Sequence, residues 1–305
     1  MRIILIGQAA FGEKVLEAVL HAGEEVVGVF CPPDVSGKPN ALRQLAERHH
    51  IPVHQPERLR DPEVFETFQQ LQPDLNVMAF VTDIVPERIL NLPRHGSIQY
   101  HPSLLPRHRG GSAINWAIIQ GDRATGLTIF WPDRGIDTGP ILLQREVEIA
   151  ADDTTGSLYF NKLFPLGVEA VVAAIKMVSE GTAPRIAQAE ALATYEPLCT
   201  EERTRIDWAQ PVDTIYNLIR GCNPQPGATT TWHGQRLKIF DCQRQLLPQT
   251  AAPSEVTGIA ADSFWVAASD GALLIKRVQP EGQVKLKAAD FITASGLKVG
   301  DQLNT

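Results

Sequence analysis

Residues 1–30 read MRIILIGQAAFGEKVLEAVLHAGEEVVGVF. A short apolar run, Arg2–Gly7, ends in glycine, a helical pattern follows, and a second run of β-forming residues spans Glu25–Phe30. Two such runs joined by a helix form a βαβ unit, whose strands are parallel. The alternation continues, with further strands predicted near Leu75–Val81, Ser97–Tyr100 and Leu127–Trp131 and helices between them. It implies an α/β fold, a Rossmann-like, mostly parallel sheet covered on both faces. In such sheets ligands sit at the carboxyl ends of strands, near a switch in strand order.

From Asp153 to Gly181 one long helical pattern follows, with a start that Asp153 or Thr154 can cap, a kink at Pro165 and an end at Gly181. A looser segment runs from Thr182 to about Arg203, and the pattern then changes. A short helix over Pro211–Arg220 precedes β-type runs around Thr229–Trp232, Arg236–Phe240, Val256–Ala260, Phe264–Ala268 and Ala272–Val278. Turns are expected at His233–Gly234 and Asp270–Gly271. Two domains are therefore predicted, an α/β unit over 1–203 and a small β-barrel-like unit over 204–305.

The composition is that of an ordinary soluble chain of 305 residues, 44% apolar and 21% charged. No uninterrupted apolar run reaches the roughly 20 residues that span a bilayer, so no membrane partner is expected. The N-terminus has no small-residue cleavage site and reads as a first strand, not a signal peptide. Cys31, Cys199, Cys222 and Cys242 lack CxxC spacing, which predicts neither a metal site nor a disulfide framework and suits a reduced cytoplasm. A net charge of −7 argues against a general nucleic-acid binder. The best candidate for a local basic patch is RHRGG, Arg107 to Gly111.

Gly7-Gln8-Ala9-Ala10-Phe11-Gly12 lies where a dinucleotide fingerprint would lie, after the first strand and opening a helix. Ala9 replaces the middle glycine, and the second strand ends in Cys31-Pro32-Pro33 where a ribose-binding acid is expected, so NAD is not expected to bind. Chemistry points instead to SIQYHPSLLPRHRGG, Ser97 to Gly111, where His101 ends an apolar strand in a proline-rich loop. A second candidate is Asp137, in the glycine-flanked stretch Asp133-Arg134-Gly135-Ile136-Asp137-Thr138-Gly139. Both would project from strand ends on the same side of the sheet, as a carboxylate–imidazole pair suited to proton transfer.

SIQYHPSLLPRHRGG together with GIDTGPILLQ resembles the formyltransferase superfamily, which uses 10-formyltetrahydrofolate and carries an HxSLLP loop and a later LDTG-type loop. Within it, IGQAAFG, the VVGVF…PD…GK run, LPRHGSI and YHPSLLPRHRGGSAINW look most like the hydrolase domains of 10-formyltetrahydrofolate dehydrogenases. The likeness covers most of residues 1–200, and the β-rich remainder is similar to the family's small C-terminal OB-like β-barrel domain. The resemblance implies that His101 stabilises the oxyanion developing at the formyl carbon or donates a proton to the leaving folate nitrogen. It implies that Asp137 keeps His101 and an attacking water or amine in the right protonation state. Asp83, Ile84 and Val85 align with the stretch that binds the pterin through backbone groups, and Ser103, Leu104 and Asp133 are carried over to the folate-contacting set. Gln99 stands where most transferases of the family place an asparagine; its amide can donate to the formyl oxygen, though one methylene further out.

The resemblance leaves the acceptor open. One reading is a stand-alone folate enzyme that passes the formyl group from its donor substrate, 10-formyltetrahydrofolate, to water or to a small or carrier-bound acceptor. A second is methionyl-tRNA formyltransferase, whose members carry a longer basic insertion after the second strand. Here Cys31 to Asn40 is short, with Lys38 its only cation, which disfavours tRNA as a partner. A third is a non-catalytic folate-binding protein. The complete dehydrogenase is not expected, since 305 residues leave no room for its carrier and aldehyde dehydrogenase domains.

Overall fold

The computed structural model describes residues 1–304 except Ser36, Lys38, Pro248 and Gln249. Its first sheet has seven strands, in the order Val53–His54, Glu25–Phe30, Arg2–Gly7, Leu75–Ala79, Ser97–His101, Ala124–Phe130 and Ile141–Glu148. The first five pair in parallel, and Ser97–His101 pairs antiparallel with Ala124–Phe130, placing Gln99 opposite Phe130 and His101 opposite Thr128. The mostly parallel α/β sheet predicted from the sequence is thus present. Val53–His54 has only two residues and Ile141–Glu148 is largely exposed or half-buried, so neither shows the continuous buried run of the central strands.

Residues of one strand alternate between the two faces. Ile3 and Leu5 join Phe11, Val15 and Leu16 of the helix Ala9–His21, with Val171, Ala174 and Ile175 of the helix Phe164–Ser179, in one core. Ile4 and Ile6 face the other way, packing with Phe68, Met78 and Ile89 in a second core. Each such side chain, fully buried, contributes about 1.5–3 kcal/mol of hydrophobic stabilisation. Gly167 lets its helix come close, since a Cβ there would lie 2.7 Å from the ring of Tyr100. Thr154 caps the preceding helical turn through a reciprocal bond with Ser157, and Pro165 stands in the first turn of Phe164–Ser179 after a five-residue π-turn. By length and composition, Thr155–Ser179 is the one helical stretch among the described residues that could cross a bilayer. Its apolarity is accounted for by burial of Ala170, Val171, Ala174, Ile175 and Val178 in the α/β core.

Packing groups the chain into two compact units, each drawn from three stretches of the sequence. The first comprises Met1–Gly110, Gly126–Val147 and Phe160–Tyr195; the second comprises Gly111–Thr125, Glu148–Tyr159 and the chain from Glu196 onward. The second unit is built on a six-stranded antiparallel sheet of Ala228–Trp232, Gln235–Leu246, Gly271–Pro280, Phe264–Ala267, Val256–Ile259 and the short Leu286–Lys287. The predicted hairpin at His233–Gly234 forms, with both residues left-handed at φ 48° and 74°, as a two-residue turn of that twist requires. The helix Val212–Gly221 buries Val212, Ile215 and Ile219 against Leu237, Ile239 and Leu273. A last helix, Ala288–Ser295, was not read from the sequence; with only Ala288 and Phe291 buried, it has no apolar stripe to detect.

Candidate functional site

The strand Ser97–His101 turns Ile98 and Tyr100 into the core that contains Phe11. Alternation therefore places Gln99 and His101 together on the opposite face. The loop that follows is tied from the neighbouring strand. Thr128 Oγ1 donates to the Ser103 carbonyl (2.6 Å) and accepts from Leu105 N (3.1 Å), and Gln144 Nε2 donates to the Leu105 carbonyl (2.9 Å). The Ser103 hydroxyl donates to the Arg107 carbonyl (2.7 Å), so this fully buried side chain is used within the loop. Folded in this way, the loop delivers the His108 carbonyl to His101 Nε2 at 2.8 Å.

Asp137 sits in the loop between the last two strands of the sheet, at φ +55°, a left-handed conformation that aspartate tolerates better than most side chains. Its Oδ2 accepts from Gly110 N (2.8 Å) and lies 3.5 Å from His101 Nδ1. Both side chains are buried, so the field between them is weakly screened. A carbonyl cannot donate, so Nε2 carries the hydrogen in the contact with His108. Nδ1 is then the nitrogen that faces the Asp137 carboxylate. Asp137 Oδ1 has no hydrogen-bond partner among the described residues.

Residues of the connecting segment after Thr182 brace this pair. Gln188 Nε2 donates to the carbonyls of Asp137 (2.8 Å) and Gly139 (2.7 Å). Its Oε1 accepts from Arg109 Nε (3.1 Å) and Nη2 (2.9 Å). Arg109 also grips Glu190 with two bonds of 2.8 Å and donates to Tyr195 Oη at 3.1 Å. That hydrogen bond from Arg109 is the main cause holding the Glu190 carboxyl below the ordinary carboxylate range. Gly139 is fixed from the other side: a Cβ there would lie 1.7 Å from the Trp131 carbonyl. Arg109, predicted to belong to a basic patch, is instead fully buried and paired within the protein, because its guanidinium is consumed by Gln188, Glu190 and Tyr195. Arg107 is exposed.

The other predicted positions are distributed along the strand ends. Asp83 follows the strand Leu75–Ala79, and both its oxygens accept backbone bonds, from Leu59 N (2.7 Å) and Ile84 N (2.8 Å). Ile84 is exposed and Val85 is buried. Asp83 also borders a cavity of about 70 Å³ with Gly7, Gln8, Phe30, Cys31 and Thr82. This cavity lies where the strand order reverses between Arg2–Gly7 and Leu75–Ala79, the crevice expected for a ligand. Leu104 is half-buried. Asp133 Oδ1 accepts from Gly135 N (2.9 Å) and Thr138 Oγ1 (2.6 Å), shaping the Asp137 loop. Lys38 lies outside the described residues. Among the described residues no group of three or more His, Cys, Asp or Glu is placed to hold a metal ion.

Comparison with known proteins gives this geometry a context. The 10-formyltetrahydrofolate dehydrogenases of the cytosol from Xenopus tropicalis and Mus musculus are 42% identical to the chain, covering 95% and 97% of it. The chain spans about a third of their length, 34% in each case. Methionyl-tRNA formyltransferase from Geobacter metallireducens is 36% identical, covering 99% of this chain and 98% of that protein. Among solved structures, HypX from Aquifex aeolicus shares the fold with a TM-score of 0.71 at 20% identity, over 98% of this chain and 48% of HypX. An N-formyltransferase from Helicobacter canadensis does so with a TM-score of 0.64 at 18% identity, over 92% and 99%. Residues 1–175 match the formyl transferase family and residues 199–296 match its C-terminal domain, and the chain belongs to that family.

Proposed function

We propose that the chain takes the formyl group from 10-formyltetrahydrofolate and passes it to water or to a small or carrier-bound acceptor. The observation that carries this reading is the buried His101–Asp137 pair, 3.5 Å apart at the strand ends of a formyltransferase-family fold. A nucleophile adds to the formyl carbon, the carbonyl oxygen becomes an oxyanion, and the bond to the folate nitrogen then breaks as that nitrogen takes up a proton. Asp137 Oδ1 is the acceptor for the nucleophile's proton. His101 Nε2 exchanges the His108 carbonyl for the oxyanion, and Gln99, on the same strand face, is placed to add a second donor. The proton is returned to the leaving nitrogen through the same pair; with water as nucleophile the products are formate and tetrahydrofolate. Asp83 to Val85 hold the pterin through backbone groups, with Leu104 and Asp133 beside it. Ser103 supports the loop from within.

The second reading, formylation of initiator methionyl-tRNA, is favoured by one observation: the Geobacter metallireducens enzyme aligns end to end with this chain. The internal pairing of Arg109 weighs against it, since that guanidinium is not offered to phosphates. Supplying 10-formyltetrahydrofolate labelled at the formyl carbon, with and without charged initiator tRNA, separates the readings. Label in formate supports the first and label in formyl-methionyl-tRNA at physiological salt supports the second. Folate binding with no transfer to any acceptor would leave only a binding protein. Replacing His101 with alanine is expected to lower turnover about a hundredfold or more with little change in folate affinity. Asp137→Asn should be comparably damaging, and Gln99→Ala milder. Turnover within a few-fold of wild type for His101→Ala would make the strand-end imidazole structural.

A further inference from the structure

The second unit contains a cavity of about 600 Å³ whose walls include Asn115, Glu201, Gln225, Lys238, Gln279 and Lys285. Its size lies within the roughly 300–1,000 Å³ of small-molecule sites. None of these residues belongs to the constellation around His101.

The charges in and beside this cavity do not balance. Glu201 serves two cations at once, Lys238 in close contact and Arg236 at 2.8 Å, and Arg236 also reaches Glu281 at 3.2 Å. Lys285 has no carboxylate partner among the described residues. One of its three N–H groups goes to the Pro224 carbonyl (2.8 Å), and its Nζ lies 3.7 Å from the centre of the Phe240 ring. Burial, then Arg277 and Lys238, push the Lys285 ammonium below its ordinary proton affinity. On the walls themselves Lys238 and Lys285 stand against the single carboxylate of Glu201, a surplus of one cation.

The neutral wall is specific in a different way. Asn115 spends its amide donors on the carbonyls of Gly221 (2.7 Å) and Gln225 (3.3 Å), and Gln279 gives one of its two to the Gln283 carbonyl (2.7 Å). Each therefore offers its amide oxygen, an acceptor suited to hydroxyl groups.

We propose that this cavity is a binding site for a phosphorylated polyol or sugar, with the phosphate at Lys285 and Lys238 and the hydroxyls toward Asn115 and Gln279. A phosphate monoester concentrates its negative charge in a single headgroup within reach of an ammonium that no carboxylate engages, and lysine binds it as a point charge.

Calorimetric titration with glycerol 3-phosphate, inorganic phosphate, glycerol and sodium chloride at matched ionic strength tests this, without any folate, so the result is independent of formyl transfer. Glycerol 3-phosphate should bind more tightly than inorganic phosphate, and neither glycerol nor sodium chloride should give saturable heat. Lys285→Gln should weaken glycerol 3-phosphate about tenfold or more, the loss of one charge-assisted hydrogen bond, and Lys285→Arg should stay within a few-fold. Gln279→Leu should weaken glycerol 3-phosphate while leaving inorganic phosphate unchanged, a comparison that holds even if Lys285→Gln does not fold. Heat no greater than that of sodium chloride would overturn the proposal, as would equal binding by Lys285→Gln. A short RNA that binds where both small phosphates fail would also overturn it and make the surface a nucleic-acid contact.

Discussion

Replacing Gln188 with leucine tests whether the brace behind Asp137 positions the candidate site. The amide makes four hydrogen bonds: two donated to the Asp137 and Gly139 carbonyls and two accepted from Arg109. Leucine has a similar volume and makes none of them. Arg109 Nη2 keeps Glu190, but Nε loses its partner on a side chain that is 0% exposed, and the carbonyls of buried Asp137 and Gly139 lose theirs. One orphaned buried donor at about 1–3 kcal/mol and two net hydrogen bonds at about 1 kcal/mol each give a destabilisation of about 3–5 kcal/mol. Half-exposure of Gln188 admits some water and brings the figure toward 3 kcal/mol, an order-of-magnitude value. Because Asp137 is held at a left-handed φ by this contact, release also misplaces its carboxylate, and about 1 Å of misplacement costs on the order of a hundredfold in rate. Urea unfolding gives the stability, and turnover of 10-formyltetrahydrofolate as a function of pH gives the positioning effect. Gln188→Glu, which keeps an acceptor for Arg109 but turns a carboxylate oxygen toward the two carbonyls in place of their donor, should recover the Arg109 bonds without recovering turnover. A leucine variant within 1 kcal/mol of wild type in stability, with an unchanged pH profile, would refute the reasoning.

The remaining expectations concern acid stability and thiol chemistry. The Asp74 carboxyl is held below its ordinary 3.8, first by the hydrogen bond from Arg2 N and then by Arg94. Its contribution is therefore complete above that value and lost as pH falls through the lower native one, where the unfolded chain binds more protons. Asp74→Asn should flatten the acid limb of stability measured by urea midpoint against pH, and an unchanged slope would assign the limb elsewhere. A hydrogen bond from the Cys222 thiol holds half-buried Cys199 below the ordinary thiol range, whereas burial pushes Cys31 up to about 11. Iodoacetamide should therefore alkylate Cys199 first in the folded protein, as read by peptide mass spectrometry; Cys31 labelling equally fast would contradict this.

The sheet and its strand ends were legible because their signals are local. Arg2–Gly7, Glu25–Phe30 and Ser97–His101 are continuous buried runs, and a histidine following such a run is visible without knowing its neighbours. Pairing with Asp137 could be anticipated because both residues end or follow strands of one sheet. The brace could not. Arg109 meets Gln188 and Glu190 across 79 and 81 residues, through bonds made by an exposed, aperiodic segment with no pattern to announce it. The same physics explains the misreading of RHRGG, since a sequence shows a cation's charge and not the carboxylate that neutralises it. The last helix, Ala288–Ser295, was missed because two buried positions do not make a stripe.

The position of that brace bears on how the protein can be divided for study. The match to the formyl transferase family ends at residue 175, a natural place to cut a minimal α/β domain, yet Gln188, Glu190 and Tyr195 all lie beyond it. A fragment ended there would retain every strand of the seven-stranded sheet and both His101 and Asp137. It would nonetheless leave the Arg109 guanidinium without its acceptors and the Asp137 loop without its tether. Such a fragment would look folded by circular dichroism and still be a poor report on the chemistry of the intact chain.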